Sequence, residues 1–135
     1  MVQQPSSPSP GAARAVRVLT VDDQEVFRRI ADDVIAATEG FEAVGEAGGG
    51  DEALEAVQRL SPDLVLLDVR MPGLDGIEVA RRLAASECDA MVVLISVDEM
   101  VDLPSAAEFG RAIPLVRKQD FGPRLLRKLW AENGG

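Results

Sequence analysis

The chain has 135 residues, enough for one domain with a real core and too few for two full ones. Its 23 Asp and Glu outnumber 14 Lys and Arg, giving a net charge of −9 that repels phosphate backbones and argues against direct nucleic-acid binding. It has no histidine, the commonest general base and zinc ligand, and its one cysteine, Cys88, can form no intramolecular disulfide, which suits a reducing compartment.

Residues 1–14 are rich in Pro, Ser, Gln and Ala and read as a flexible tail with too little apolar surface to fold. A regular alternation then begins. Residues 15–21 form a predicted strand, and 24–38 a helix with Phe27, Ile30, Val34 and Ala37 on its buried face. A second strand is expected over 41–47, ended by three glycines. A helix follows over 51–60, with Ala53, Val57 and Leu60 inward. Ser61-Pro62 forces a turn before a third strand at 63–67, whose unbroken Leu-Val-Leu-Leu run suits a central parallel strand. Asp75 caps the next helix, with Glu78 completing a capping-box pattern and Ile77, Ala80 and Ala84 buried. Further strands are expected at 90–95 and 112–116, with a short helix at 104–109 between them. Asp120 opens the last helix, which buries Leu125, Leu126 and Leu129 and tolerates Pro123 in its first turn. No apolar stretch reaches the ~20 residues of a membrane span, and no signal-peptide pattern opens the chain, so a cytoplasmic location is expected.

Five alternations of strand and helix predict an α/β fold, a parallel sheet covered on both faces. Such sheets bind ligands beyond the carboxyl ends of their strands. Asp22, Asp23, Asp68, Ser96 and Lys118 all fall at those ends. Any one of them alone would read as a helix cap, a solvated turn or a surface charge. Brought together, like charges about 4 Å apart cost roughly 4 kcal/mol per pair near a protein surface, so the three acids call for a cation or a proton. Without histidine, the metal would be oxygen-bound and hard, such as Mg²⁺.

Two segments carry a family resemblance: Val21-Asp22-Asp23-Gln24 with Phe27-Arg28-Arg29-Ile30, and Pro62 through Asp68 to Met71-Pro72-Gly73-Leu74-Asp75-Gly76. Over residues 15–131, with 132–135 as a short tail, the chain resembles the receiver domain of bacterial two-component response regulators. The resemblance implies a flavodoxin-like five-stranded sheet in the order 2-1-3-4-5. It implies that Asp68 accepts a phosphoryl group from a histidine kinase or phosphotransfer protein. It also implies that Asp22, Asp23, Asp68 and the Arg70 backbone carbonyl hold Mg²⁺, with Ser96 and Lys118 contacting the phosphoryl oxygens. Phosphorylation would shift a face formed by the 104–109 helix, the last strand and the last helix toward an unknown output protein or domain. Leu115, Arg117, Arg124 and Arg127 could serve a homodimer there. A stand-alone receiver that is not an enzyme in its own right is expected.

The chain also departs from the family pattern. Val97 is bulkier than the small residue usual after the Ser/Thr. Leu115 replaces a frequent aromatic, and Gln119 a frequent cis-proline. The missing aromatic, with a Val97–Gly110 stretch that is short and irregular for the fourth helix, motivates an alternative, a receiver-like interaction module with a vestigial or atypical phosphorylation site. A flavodoxin-like ligand-binding or hydrolase domain is disfavoured, because acids rather than a glycine-rich phosphate loop follow the first strand.

Overall fold

The computed structural model describes residues 14–86, 88–97 and 113–133. The expected helix at 104–109 and most of the N-terminal tail lie outside these residues. Five parallel strands are present: β1 (Val16–Val21), β2 (Phe41–Ala47), β3 (Leu64–Asp68), β4 (Met91–Ser96) and β5 (Leu115–Arg117). They lie in the order β2-β1-β3-β4-β5, as expected for the flavodoxin-like fold. Helices α1 (Glu25–Ala36), α2 (Gly50–Leu60), α3 (Gly76–Ala85) and α4 (Pro123–Asn133) connect or follow them. A 3₁₀ turn, Lys118–Asp120, joins β5 to α4.

The period-2 alternation of strands divides the core between two faces. Leu19, Val65, Leu67 and Leu94 point to the α2–α3 side, with Ala53, Val57, Val79 and Leu83. Val18, Leu64, Leu66, Val93 and Ile95 point to the α1–α4 side, with Phe27, Ile35, Leu126 and Leu129. All five residues of β3 are buried, which explains its continuous apolar run.

Two helix faces differ from expectation. In α1 the buried stripe is Phe27, Ala31 and Ile35, while Ile30 is 49% exposed and Ala37 lies outside the helix. The i, i+4, i+8 row starting at Phe27 faces the sheet, and the small Ala31 gave this row little weight in a hydrophobicity reading. In α3, Val79, Ala80 and Leu83 are buried, whereas Ile77 is half-buried and Ala84 exposed. The Val79–Leu83 pair, one turn apart, presents more apolar area to the sheet than the set that starts at Ile77. Leu60 and Leu125 are likewise only half-buried. Asp75 does cap α3, its Oδ1 accepting from the Glu78 amide at 2.9 Å. The Glu78 side chain does not complete the box; it pairs instead with Arg81 and Arg82 at 2.9 and 3.1 Å.

Strand ends also move. β3 and β4 each run one residue further than expected, so Asp68 and Ser96 are ladder residues, paired with Ile95 and Arg117. Backbone pairing is indifferent to a polar side chain at the last rung. No helix among the described residues is long and apolar enough to cross a membrane.

Candidate phospho-acceptor site

β1 stops at Val21 and delivers Asp22, fully buried, and Asp23, exposed, above the sheet. The Asp22 amide donates to the Ala47 carbonyl at 3.0 Å, and its Oδ1 accepts from the Gln24 amide at 2.8 Å. That second bond forms an Asx turn that launches α1. One turn on, Arg28 reaches back. Its Nη1 donates to the Asp22 carbonyl and its Nε to Glu46 on β2, each at 2.8 Å. The acidic turn is therefore tied to β2 twice, through its own backbone and through Arg28. Burial and the adjacent Glu46 carboxyl push Asp32, one turn further along α1, up to about 6.

Asp68 closes β3 and is 5% exposed. Its Oδ1 accepts from the Arg70 amide at 3.3 Å. Beyond it the chain turns tightly: the Val69 amide donates to Ile95, and the Gly76 amide returns to the Val69 carbonyl at 3.0 Å. Gly76 lies so near that a Cβ there would stand 2.0 Å from the Asp68 carbonyl oxygen. Ser96 is buried at the end of β4, and Val97 beside it is 65% exposed at the rim.

Lys118, on the 3₁₀ turn after β5, enters from the far side. Its Nζ lies 2.6 Å from Asp22 Oδ2 and 3.7 Å from Asp68 Oδ2. Among the described residues Asp22 Oδ2 has no other donor, although it is wholly removed from water. One oxygen from each of Asp22, Asp23 and Asp68 falls within 4.8 Å of the others. The structure thus brings together Asp22, Asp23, Asp68 and Lys118. Ser96 and the Arg70 backbone border the group.

The electrostatics follow from this crowding. The Asp68 carboxyl is pushed up to about 6, chiefly by burial and next by the Asp22 charge, with Asp23 adding to it. Lys118 and the Arg70 amide oppose the rise without cancelling it. Three carboxylates and one ammonium leave a formal excess of two negative charges, which fits a hard divalent cation held by oxygen. By contrast, a cleft of about 620 Å³ lies at the opposite, amino end of β3 and β4, lined by Leu54, Val57, Asp63, Arg82 and Cys88 among others. Among the described residues it gathers no comparable set of acids, and in this fold ligands bind at the carboxyl ends.

The sequence places Phe27 on the buried face of the first helix, but gives neither it, Arg28 nor Gly76 a part in the site. Phe27 underlies the lysine, with Nζ 4.8 Å from its ring centroid. The spacing of an aromatic and an arginine four and five residues after Asp23 was visible. What each would touch was not.

Fold and site together define a flavodoxin-like α/β domain with an acidic centre at its switch point. The family model for the response regulator receiver domain matches residues 18–129, and the chain belongs to that family. It is 45% identical over 104 residues to protein-glutamate methylesterase/protein-glutamine glutaminase 5 of Myxococcus xanthus, covering 76% of this chain and 30% of that protein. Response regulator GacA of Pseudomonas aeruginosa is 39% identical over 90 residues, covering 67% of this chain and 42% of that one. The chain thus spans less than half the length of these relatives. Among solved structures, the receiver domain of the putative response regulator NarL from Mycobacterium tuberculosis superposes with TM-score 0.74 at 32% identity, covering 88% of this chain and 95% of that one. Membership supports phosphorylation-dependent signalling within a two-component system.

Proposed function

We propose that the domain is a phospho-acceptor switch in which Asp68 takes a phosphoryl group from the phosphohistidine of a histidine kinase or phosphotransfer protein. The observation that carries this reading is the convergence of Lys118 Nζ on both Asp22 and Asp68 beneath a crowded acidic mouth. In the transfer, an Asp68 carboxylate oxygen bonds to phosphorus as the phosphorus–nitrogen bond of the donor breaks. The imidazole leaves with that electron pair and is protonated from solvent. Phosphoryl transfer asks more for positioning and charge neutralisation than for a strong nucleophile, so a carboxylate suffices.

Lys118 would pair with one phosphoryl oxygen, and Ser96 would donate to another. Asp22, Asp23, Asp68 and the Arg70 carbonyl would hold Mg²⁺, which when bound neutralises the charge of carboxylates and phosphoryl group together. Asp22, shielded from water and paired with the ammonium, orients Lys118. The acyl phosphate would favour one of two arrangements of the β5–α4 side, which an output protein or domain reads, or on which two copies pair.

Incubation with Mg²⁺ and phosphoramidate or acetyl phosphate tests the reading. Intact-mass analysis is expected to find one added phosphoryl group on the wild type and none on Asp68→Ala. No adduct on the wild type, or an undiminished one on the variant, refutes it.

A further inference from the structure

The phospho-acceptor reading leaves Lys118 with a difficulty. Its long, flexible side chain must stay near Asp68 although Asp68 Oδ2 is 3.7 Å away and the closer partner is Asp22. The chain's other lysine, Lys128, is exposed on α4. Two aromatic rings stand at this point. Phe27, 7% exposed on α1, lies with its ring under the Lys118 ammonium, 4.8 Å from centroid to Nζ. Phe121 packs against Phe27 at a tilt of 53°, with centroids 6.2 Å apart. The 3₁₀ turn links the arrangement to the lysine's own backbone, because the Phe121 amide donates to the Lys118 carbonyl at 3.2 Å.

We infer that Phe27 is the positioning residue for Lys118, holding its ammonium by a cation–π contact between Asp22 and the phosphoryl position. A ring face attracts a cation electrostatically, and more so where water is excluded, as it is beside a lysine side chain only 12% exposed. The contact needs no directed lone pair, so the ammonium keeps its three N–H donors for Asp22, Asp68 and an incoming phosphoryl oxygen. Asp22 alone would draw Nζ toward itself. The ring adds an attraction without an acceptor, and Phe121 fixes the angle of that ring. β5 offers no aromatic, Leu115 being half-buried against the α2–α3 side of the core. The two phenylalanines lie on the α1–α4 side, with Trp130 and Leu125 packed against the same cluster. Among the described residues, the lysine's aromatic environment thus comes from α1 and from the residue that follows the 3₁₀ turn.

This inference rests on the phospho-acceptor reading for its consequence, but its geometry is tested separately. With only two lysines, selective isotope labelling gives two sets of side-chain NMR signals. The Lys118 ε-methylene protons are expected upfield of those of Lys128 through the ring current of Phe27. They should move back toward Lys128 in Phe27→Leu. Site-specific replacement of Phe27 by 3,4,5-trifluorophenylalanine keeps nearly the same volume and depletes the negative ring face. With phosphoramidate and Mg²⁺, the trifluoro protein is expected to be phosphorylated about three- to tenfold more slowly than wild type at unchanged melting temperature. If the trifluoro protein matches the wild-type rate, or if the two lysines have coincident ε-methylene shifts, the positioning role is overturned. A wild type that takes no phosphoryl group at all would refute the functional reading instead, while the NMR shifts would still decide the contact. Should Phe27→Leu fail to fold, the trifluoro protein, whose core volume is preserved, carries the test.

Discussion

Asp68 lives in a tension between burial and charge. Removed from water beside Asp22, its carboxyl is held at about 6 rather than in the ordinary carboxylate range. A raised folded-state value means that the native protein binds this proton more tightly than the unfolded chain does. The corresponding stability is fully present below about pH 4 and is lost as pH rises through about 6. Asp68→Asn removes the charge and keeps an acceptor for the Arg70 amide. Without divalent cations, it is expected to be more stable than wild type at pH 8 by roughly 1–3 kcal/mol, with the difference shrinking toward pH 4. Urea unfolding of the two proteins across that range checks it; a variant less stable than wild type at pH 8 would contradict the electrostatic account. The same ionisation makes the free carboxylate available as a nucleophile mainly above pH 6. At this scale the site was largely legible, because Asp22, Asp23, Asp68 and Lys118 each terminate an apolar run. Phe27 was not, since an aromatic on an apolar helix face is ordinarily core, and it is core here as well as the support of a lysine.

At the scale of elements, four segments must agree on one point above the sheet. β3 and β4 carry Asp68 and Ser96 on their last rungs, and the Asx turn at Asp22 starts α1. Arg28 then binds that turn to β2 through Glu46. The loop after β3 depends on Gly76, whose missing side chain lets α3 begin against the strand end. A Cβ would meet Asp68 backbone atoms at 2.0 and 2.8 Å, and backbone has no rotamer by which to yield. Gly76→Ala is therefore expected to destabilise the protein by about 3 kcal/mol and to slow phosphorylation as Asp68 shifts. Denaturant unfolding with m unchanged would read the first effect, and a variant as stable as wild type would contradict the close approach. The order and type of the described elements were readable because strand runs and helix periods alternate cleanly. Helix faces were less so. In α1 and α3 several apolar residues compete for the sheet, and the angle at which each helix lies, which is set by its neighbours, decides whether Ile30 or Ala31, Ile77 or Val79 turns inward.

For the whole molecule, the strand order 2-1-3-4-5 brings β1 and β3 side by side, so acids 45 positions apart in sequence meet as neighbours. Topology alone accomplishes that. Partners and output are a different matter. The relatives that match are more than twice as long as the matched region, and what they do in their remaining length is their own property. The central claim for this chain is local: one particular carboxylate becomes an acyl phosphate. Treating the phosphorylated protein with borohydride reduces an aspartyl phosphate to homoserine, and peptide mass spectrometry then locates it. We predict homoserine at position 68 and unchanged aspartate at 22 and 23. Homoserine at either of those positions, or at none, would contradict the account.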